Sequence, residues 1–301
     1  MNNSNGSLDQ ILVNDHEVHT KSCNCRKCQD REISLTLDNY EFDHGIIFDP
    51  YERKDKLKKD RRKKIISTHK VPFRYICRIT LKDGTFLGTG TLIGPRTVLT
   101  AAHVVWRFTT DSRRGHRDFI ITPAQKGAGT DPFRARTQST RVIPASGYNN
   151  AYAVSSRDYA VIHLKHRIGN KIGYWGIDDV KWPHDKTGTS MVKRGLPLGA
   201  GNLKVNLSGY PNDKHRGNFQ YWSYNYTSRK TNLQSDGMLQ YFNDTFAGHS
   251  GSPVWVRRHA SMGGRVMVGI HVGIRTATSS KPNKAVYLSS SVVDFIRDNT
   301  V

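Results

Sequence analysis

The sequence predicts an all-β fold, built as β-barrels or a sandwich and ending in one helix. Three observations support this. Short segments alternate between apolar and other residues, turn signals containing glycine or proline separate them, and only the C-terminus shows a helical pattern. The chain has 301 residues, of which 36% are hydrophobic. That length allows a sizeable core in one large domain or two ordinary ones.

Alternation with a period of two marks the strands. The Asp83-Gly84 dipeptide predicts a hairpin turn between the first two of them, because both residues tolerate a positive φ. The clearest expected strands are 75–81, 85–93, 97–100, 203–207 and 266–270. The only predicted helix lies at the C-terminus, where Ser291 and Asp294 form a capping box and the apolar residues that follow Ser291 share one face.

The charge of the chain is unevenly distributed. Its 46 Lys+Arg and 25 Asp+Glu give a net charge of +21. Residues 1–45 hold eight acidic and four basic residues, so the remainder carries +25. Residues 54–64 (KDKLKKDRRKK) are expected to form a solvated, mobile stretch. The basic balance fits a soluble surface, binding to nucleic acid or another polyanion, or attraction of acidic substrates. Since no nucleic-acid recognition motif is present, nucleic acid is the disfavoured partner.

Several classes of protein are disfavoured by pattern. No window approaches the ~18 continuous apolar residues of a membrane span, and the N-terminus lacks the pattern of a signal peptide, which indicates the cytoplasm for the chain as given. Four cysteines are too few and too clustered for a disulfide scaffold. The N-terminal segment holds a cluster that could bind zinc, although its spacing fits no standard site and free thiols in a flexible tail are the favoured interpretation. Its members are His16, His19, Cys23, Cys25 and Cys28.

Three local segments carry residues suited to nucleophilic catalysis. In TVLTAAHVV, small residues allow a sharp turn that leaves His103 at a barrel rim. In SRDYAVIHL, Asp158 begins an apolar strand, where a buried carboxylate can reach a histidine. In GHSGSP, glycines flank the loop of Ser250 and allow the N–H groups of Gly248 and Ser250 to converge as an oxyanion hole.

The three residue types occur in the order His, Asp, Ser, which is the order of a chymotrypsin-type triad. Ser250 would be the nucleophile, His103 the general base and then acid, and Asp158 the group that orients the imidazole. Each segment alone also has an ordinary structural interpretation, as a core histidine or a glycine loop. Their joint order favours the catalytic interpretation, in which no cofactor is needed.

The segments TAAHVV, RDYAVIHL and GHSGSPVW resemble the catalytic blocks of chymotrypsin-fold serine proteases, and more narrowly the glutamyl endopeptidase-like branch common in bacteria. Val104 stands where trypsins have a cysteine, the serine block reads GSP where trypsins have GGP, and LSGYP and YFNDT are also similar to that branch. The resemblance covers about residues 46–301. It implies two antiparallel six-stranded β-barrels with a C-terminal helix, the first at about 66–185 and the second at about 186–301. It also implies peptide or protein substrates. The resemblance implies export from the cell, whereas the lack of a signal-peptide pattern indicates the cytoplasm.

The same resemblance points to substrate-binding residues. Thr245 and His271 match the branch's glutamate-recognition pair, which implies cleavage after Glu. Asp244 lies six residues before Ser250, where trypsins place the carboxylate that binds Arg or Lys, so cleavage after Arg or Lys is the alternative specificity. A catalytically inactive binding protein that uses its basic surface is the alternative function.

Activation of a zymogen is a further expectation. Ile46, in the segment GIIFDPYER, resembles the mature terminus of relatives, and Ile65 follows the dibasic Lys63-Lys64 as in tryptic activation. Residues 1–45 would then be a propeptide, or otherwise a disordered tail that is not removed. The protein is expected to act as a monomer.

Overall fold

The computed structural model describes residues 60–109, 118–149, 155–175, 204–226, 238–257, 265–273 and 282–301. All of them belong to the second of the two units into which the chain divides, residues 47–301. Within these ranges the fold is mostly β, and the helices lack the length and continuous apolar character of a membrane-spanning helix.

The first part of the described chain contains a closed barrel of six antiparallel strands. Its strands are β2 (Ile76–Leu81), β3 (Phe86–Gly94), β4 (Thr97–Thr100), β5 (Phe119–Pro123), β6 (Thr137–Pro144) and β7 (Ala160–Leu164). Their spatial order is β2-β3-β4-β7-β6-β5. Aliphatic side chains such as Ile79, Leu99 and Ile162 are fully buried. Each contributes about 1.5–3 kcal/mol relative to an exposed position. The predicted first barrel is therefore confirmed.

The second sheet has seven antiparallel strands. They are β1 (Lys63–Lys64), β8 (Lys204–Gly209), β9 (Tyr221–Tyr226), β10 (Met238–Tyr241), β11 (Pro253–Arg257), β12 (Arg265–His271) and β13 (Asn283–Tyr287). Their spatial order is β1-β9-β8-β11-β12-β13-β10. Six of these come from the C-terminal half, as expected for the second barrel. The seventh, β1, comes from the basic run and pairs with β9.

The prediction that the whole basic run is solvated is wrong for Arg62, which is buried, whereas Asp60 and Arg61 are exposed as expected. Arg62 is 8% exposed and forms a bidentate ion pair with Asp213, with Nη–Oδ distances of 2.8 and 2.6 Å, and a second pair with Asp60. Burial would raise the pKa of Asp60, but the hydrogen bonds and charge of Arg62 outweigh it and lower the pKa to about 2. Local composition did not reveal this anchor, because Asp213 lies 151 residues away.

The described residues contain three α-helices rather than the single one predicted: α1 (Ala102–Thr109), α2 (Ile168–Ile172) and α3 (Ser290–Asp298). Helix α1 was missed because its β-branched residues favour strands when judged locally. Tertiary packing overrides that preference: Val105 is fully buried, and the Trp106 ring packs edge-on against Tyr148 at 5.9 Å.

Helix α3 confirms the predicted C-terminal helix but not its capping box. The N-cap is Ser289, no side chain caps the first turn, and Asp294 instead pairs with Arg297 at 2.7 Å. Apolar packing holds the helix in place, with Phe295 edge-on to Tyr159 at 5.1 Å. The backbone carbonyl of Asn299 accepts a hydrogen bond from His163 Nε2 at 2.8 Å, which ties the end of α3 to β7.

Candidate active site

The pairing of β4 with β7 brings His103 to Asp158. These strands are antiparallel with Thr100 opposite Ala160, so the residues that follow β4 lie beside those that precede β7. His103 Nδ1 lies 2.7 Å from Asp158 Oδ2, and the His103 backbone N–H donates to Asp158 Oδ1 at 2.9 Å. The carboxylate is 1% exposed and the imidazole 23%, so one partner is buried while the other reaches the surface.

The loop of Ser250 docks on the same rim of the barrel. Thr89 in β3 donates its N–H to Ser250 O at 2.9 Å and its hydroxyl to Gly248 O at 2.7 Å. A Cβ placed on Gly88 would lie 3.0 Å from a Val104 methyl and 3.1 Å from Ser250 O. The segment that carries His103 and the loop that carries Ser250 therefore converge at β3.

Glycine is required on both sides of Ser250. Gly248 has φ 98° and Gly251 φ 85°, conformations that residues with a Cβ rarely adopt. A Cβ on Gly251 would also collide with Thr89 O and the Thr100 hydroxyl. Within the described residues, the Gly248 and Ser250 amides have no backbone acceptor, so both N–H groups are available to an oxyanion.

His271 and Thr245 each bond to a side chain of the second sheet, His271 to Tyr241 and Thr245 to Asn283. His271 is joined to the serine loop, since its carbonyl accepts from the Gly251 N–H at 2.8 Å and its N–H donates to Ser252 O at 2.9 Å. Its Nδ1 lies 2.5 Å from the Tyr241 hydroxyl. The Thr245 hydroxyl donates to Asn283 Oδ1 at 2.8 Å.

Burial keeps the imidazoles of this region neutral. It lowers the pKa of His271 to about 3, with a smaller contribution from the charge of nearby His103. Burial also lowers the pKa of His249, the residue before Ser250, well below its usual value. Neither His249 Nε2 nor His271 Nε2 has a hydrogen-bond partner within the described part of the chain.

Asp244 is paired with Arg61, which lies at the N-terminal end of the described residues. Its Oδ2 accepts hydrogen bonds from the Arg61 backbone N–H at 2.9 Å and from Arg61 Nε at 3.1 Å. The Asp244 side chain is 28% exposed and that of Arg61 48%. The neighbouring Arg62 anchors this contact, because its ion pairs fix residues 60–64 on the second sheet.

Comparison with known proteins identifies the family. The profile of the trypsin family, described as "Trypsin", matches residues 65–296. The chain belongs to the trypsin family.

Three relatives place the chain within this family. It is 32% identical over 206 residues to the glutamyl endopeptidase of Bacillus licheniformis, covering 68% of this chain and 56% of that protein. It is 27% identical to a Bacillus subtilis protein named extracellular metalloprotease, covering 70% and 60%. A solved structure of a Glu endopeptidase in complex with MPD superimposes with a TM-score of 0.59 at 26% identity, covering 80% of this chain and 96% of that one. The chain thus spans less than two thirds of the two curated relatives, whereas it spans nearly all of the solved structure. These comparisons confirm the predicted resemblance to glutamyl endopeptidase-like proteases and the predicted fold class.

The two proposed activation positions differ in their surroundings. Ile46 and the His16–Cys28 cluster lie outside the described residues. Ile65 is fully buried and its backbone N–H donates to Gln220 O at 2.9 Å, so it is already held against the second sheet in the uncleaved chain. Activation at either position stays a prediction.

Three residues of the site were not singled out from the sequence: Tyr241, Asn283 and Arg61. Tyr241 and Asn283 are directly paired across β10 and β13, and Arg61 meets Asp244 across 183 residues of sequence. The strand register brings Tyr241 and Asn283 to the site, and the ion pairs of Arg62 place Arg61 there. The one available signal was the YFNDT segment, which contains Tyr241 but gives it no role.

Proposed function

We propose that the protein is a serine endopeptidase that cleaves peptide bonds through Ser250, His103 and Asp158. His103 accepts the Ser250 hydroxyl proton as Oγ attacks the carbonyl carbon, and then donates it to the leaving amine when the C–N bond breaks. A water molecule, deprotonated by the same imidazole, hydrolyses the acyl-enzyme. The observation that carries the proposal is the 2.7 Å His103–Asp158 contact beside the docked Ser250 loop.

Asp158 has two functions in this scheme. Its Oδ2 accepts from His103 Nδ1, which leaves Nε2 unprotonated and able to act as a base. The Asp158 side chain is only 1% exposed, so water screens its negative charge poorly. This charge stabilises the imidazolium that forms during attack. The second carboxylate oxygen binds the His103 backbone N–H, so the carboxylate has a fixed orientation.

The Gly248 and Ser250 N–H groups would stabilise the tetrahedral oxyanion. The Thr89 contacts with Gly248 O and Ser250 O hold the loop before substrate binds, so little reorganisation is needed during the reaction. Loss of one such donor costs about 10²–10³ in turnover in other serine proteases.

We further propose that the residue before the cleaved bond (P1) is Glu. His271 Nε2 is buried and has no hydrogen-bond partner among the described residues, and a substrate carboxylate would be such a partner. Asp244, which would favour Arg or Lys, is already paired with Arg61. The positive balance of the chain would also concentrate acidic substrates.

A peptide library derived from a denatured proteome tests this proposal. Mass spectrometry of the products should show Glu before most cuts made by the intact protein, and no cuts with Ser250→Ala. A predominance of Arg or Lys would instead assign specificity to Asp244. Absence of cleavage by the intact protein would favour an inactive binding protein. The same spectra report, through autolysis, whether Ile46 or Ile65 becomes a terminus.

A further inference from the structure

We propose that Tyr241 is a positioning residue: it fixes the tautomer of His271, so that Nε2–H faces the P1 carboxylate as a hydrogen-bond donor. This inference rests on the proposed cleavage after Glu and assigns a role to a residue that does not itself touch the substrate.

The strand register brings the two side chains together. His271 in β12 lies opposite Ala285 in β13, and Tyr241 in β10 lies opposite Asn283, two residues away on the same strand. Directly paired residues, and residues two apart on one strand, share a face of a sheet. Because Ala285 is small, the imidazole can reach across β13 to the phenol, and both side chains are fully buried.

Hydrogen-bond accounting then selects one tautomer. Burial raises the pKa of Tyr241 well above its usual value, so the phenol keeps its proton. Its only described hydrogen-bond partner is His271 Nδ1, at 2.5 Å. If Nδ1 carried the imidazole proton, the phenolic hydrogen would have no acceptor within the described residues, and such an orphan is costly. The phenol therefore donates to Nδ1, and the single proton of the neutral ring resides on Nε2.

The geometry of Thr245 makes this tautomer decisive. Asn283 Nδ2 donates to Asn243 O, which orients Asn283 Oδ1 as the acceptor of the Thr245 hydroxyl proton. In this arrangement Thr245 offers a carboxylate only lone pairs. Of Thr245 and His271, only His271 can then donate to the carboxylate, through Nε2–H. In the other tautomer, the lone pair of Nε2 would face the negative charge of the substrate.

The tautomer is measurable without any enzymatic activity. In ¹⁵N-histidine-labelled Ser250→Ala protein at neutral pH, long-range ¹H–¹⁵N spectra should show His271 protonated on Nε2 and unprotonated on Nδ1. Adding Tyr241→Phe should produce a shift toward the Nδ1–H form or a mixture of both. Protonation of Nδ1 when Tyr241 is present would overturn the inference, whatever the protein cleaves.

Kinetics provide the second test. In Tyr241→Phe, kcat/KM for a P1 Glu peptide should fall about 10-fold, as expected when one buried hydrogen bond is lost, while the matched P1 Gln peptide changes much less. Tyr210→Phe is the control: it also removes a buried hydroxyl, one that bonds Ile76 O and Gln125 O, and should keep the wild-type Glu/Gln ratio.

The two proposals fail in different ways. If the intact protein prefers Glu and Tyr241→Phe keeps the full Glu/Gln ratio, the positioning role is wrong and the function stands. If the intact protein does not prefer Glu, the proposed specificity is wrong, and the spectra alone then decide whether Tyr241 fixes the tautomer.

Discussion

Two histidines, His103 at the start of helix α1 and His271 at the end of β12, show how the partner of Nδ1 decides what an imidazole can do. His103 lies 2.7 Å from a carboxylate and reaches the surface, whereas His271 lies 2.5 Å from a phenol and is fully buried. A carboxylate stabilises the positive ring that forms when His103 takes a proton. A neutral phenol cannot, and burial lowers the pKa of His271 to about 3. One imidazole can therefore accept and release protons, while the other remains a fixed donor.

The largest effect is expected when the carboxylate partner of His103 is replaced by a neutral group, so that both imidazoles have neutral partners. In Asp158→Asn the neutral amide can no longer stabilise an imidazolium and can bind the wrong tautomer of His103. The expected result is a fall in kcat of about 10⁴. Asp118→Asn, which changes a carboxylate paired with Lys82 on the barrel surface, is the matched control and should keep its activity. A loss of less than 10-fold in Asp158→Asn would contradict the assigned role.

Removing the second imidazole should affect selectivity rather than chemistry. His271→Leu is expected to lower kcat/KM for P1 Glu substrates roughly 100-fold, because leucine has no hydrogen-bond donor and the buried carboxylate loses its partner. Substrates with neutral P1 residues should lose much less. His163→Leu, at the histidine that holds the end of α3, controls for loss of a structural imidazole. Equal losses for both substrates in His271→Leu would mean that His271 does not contact P1.

The low pKa of buried His271 should also make the stability of the folded protein depend on pH. The unfolded chain protonates His271 near pH 6.5, whereas the folded chain does so only near pH 3, so the unfolded state binds more protons between these values. Stability contributed by this residue is thus fully present above pH 6.5 and is lost as the pH falls, by about 2 kcal/mol between pH 7 and pH 5. Urea unfolding at both pH values should show a smaller acid loss in His271→Gln than in the wild type. An identical loss in both proteins would exclude this contribution.

The smallest expected effect concerns Arg61. Arg61→Gln removes the guanidinium charge that pairs with Asp244 but keeps the backbone N–H bond, so the ratio of kcat/KM for Glu over Lys peptides should fall. Since the Arg61 side chain is 48% exposed, the change is limited to about 5-fold. Lys82→Gln removes the same charge on the first barrel and should leave the ratio unchanged. A ratio that rises or stays constant in Arg61→Gln would show that Asp244 is not masked by this contact.

The same two regions differ in how far they could be predicted from the sequence. His103 follows a strand that was expected at 97–100, Asp158 begins an apolar segment that was expected to be a strand, and the β4–β7 pairing brings the two together. Tyr241 and Arg61 could not be assigned roles, because their partners are set by the register of β10 and β13 and by an ion pair of Arg62 with a residue 151 positions away. Local patterns show which residues could do chemistry. Long-range pairing determines which of them meet.

Labelling with a fluorophosphonate probe tests most directly whether Ser250 is a nucleophile activated by His103. We expect one label per molecule of active protein, mapped by mass spectrometry to Ser250, and loss of that label in His103→Ala although the variant remains folded. Labelling at another serine, no labelling of the intact protein, or undiminished labelling in His103→Ala would contradict this assignment.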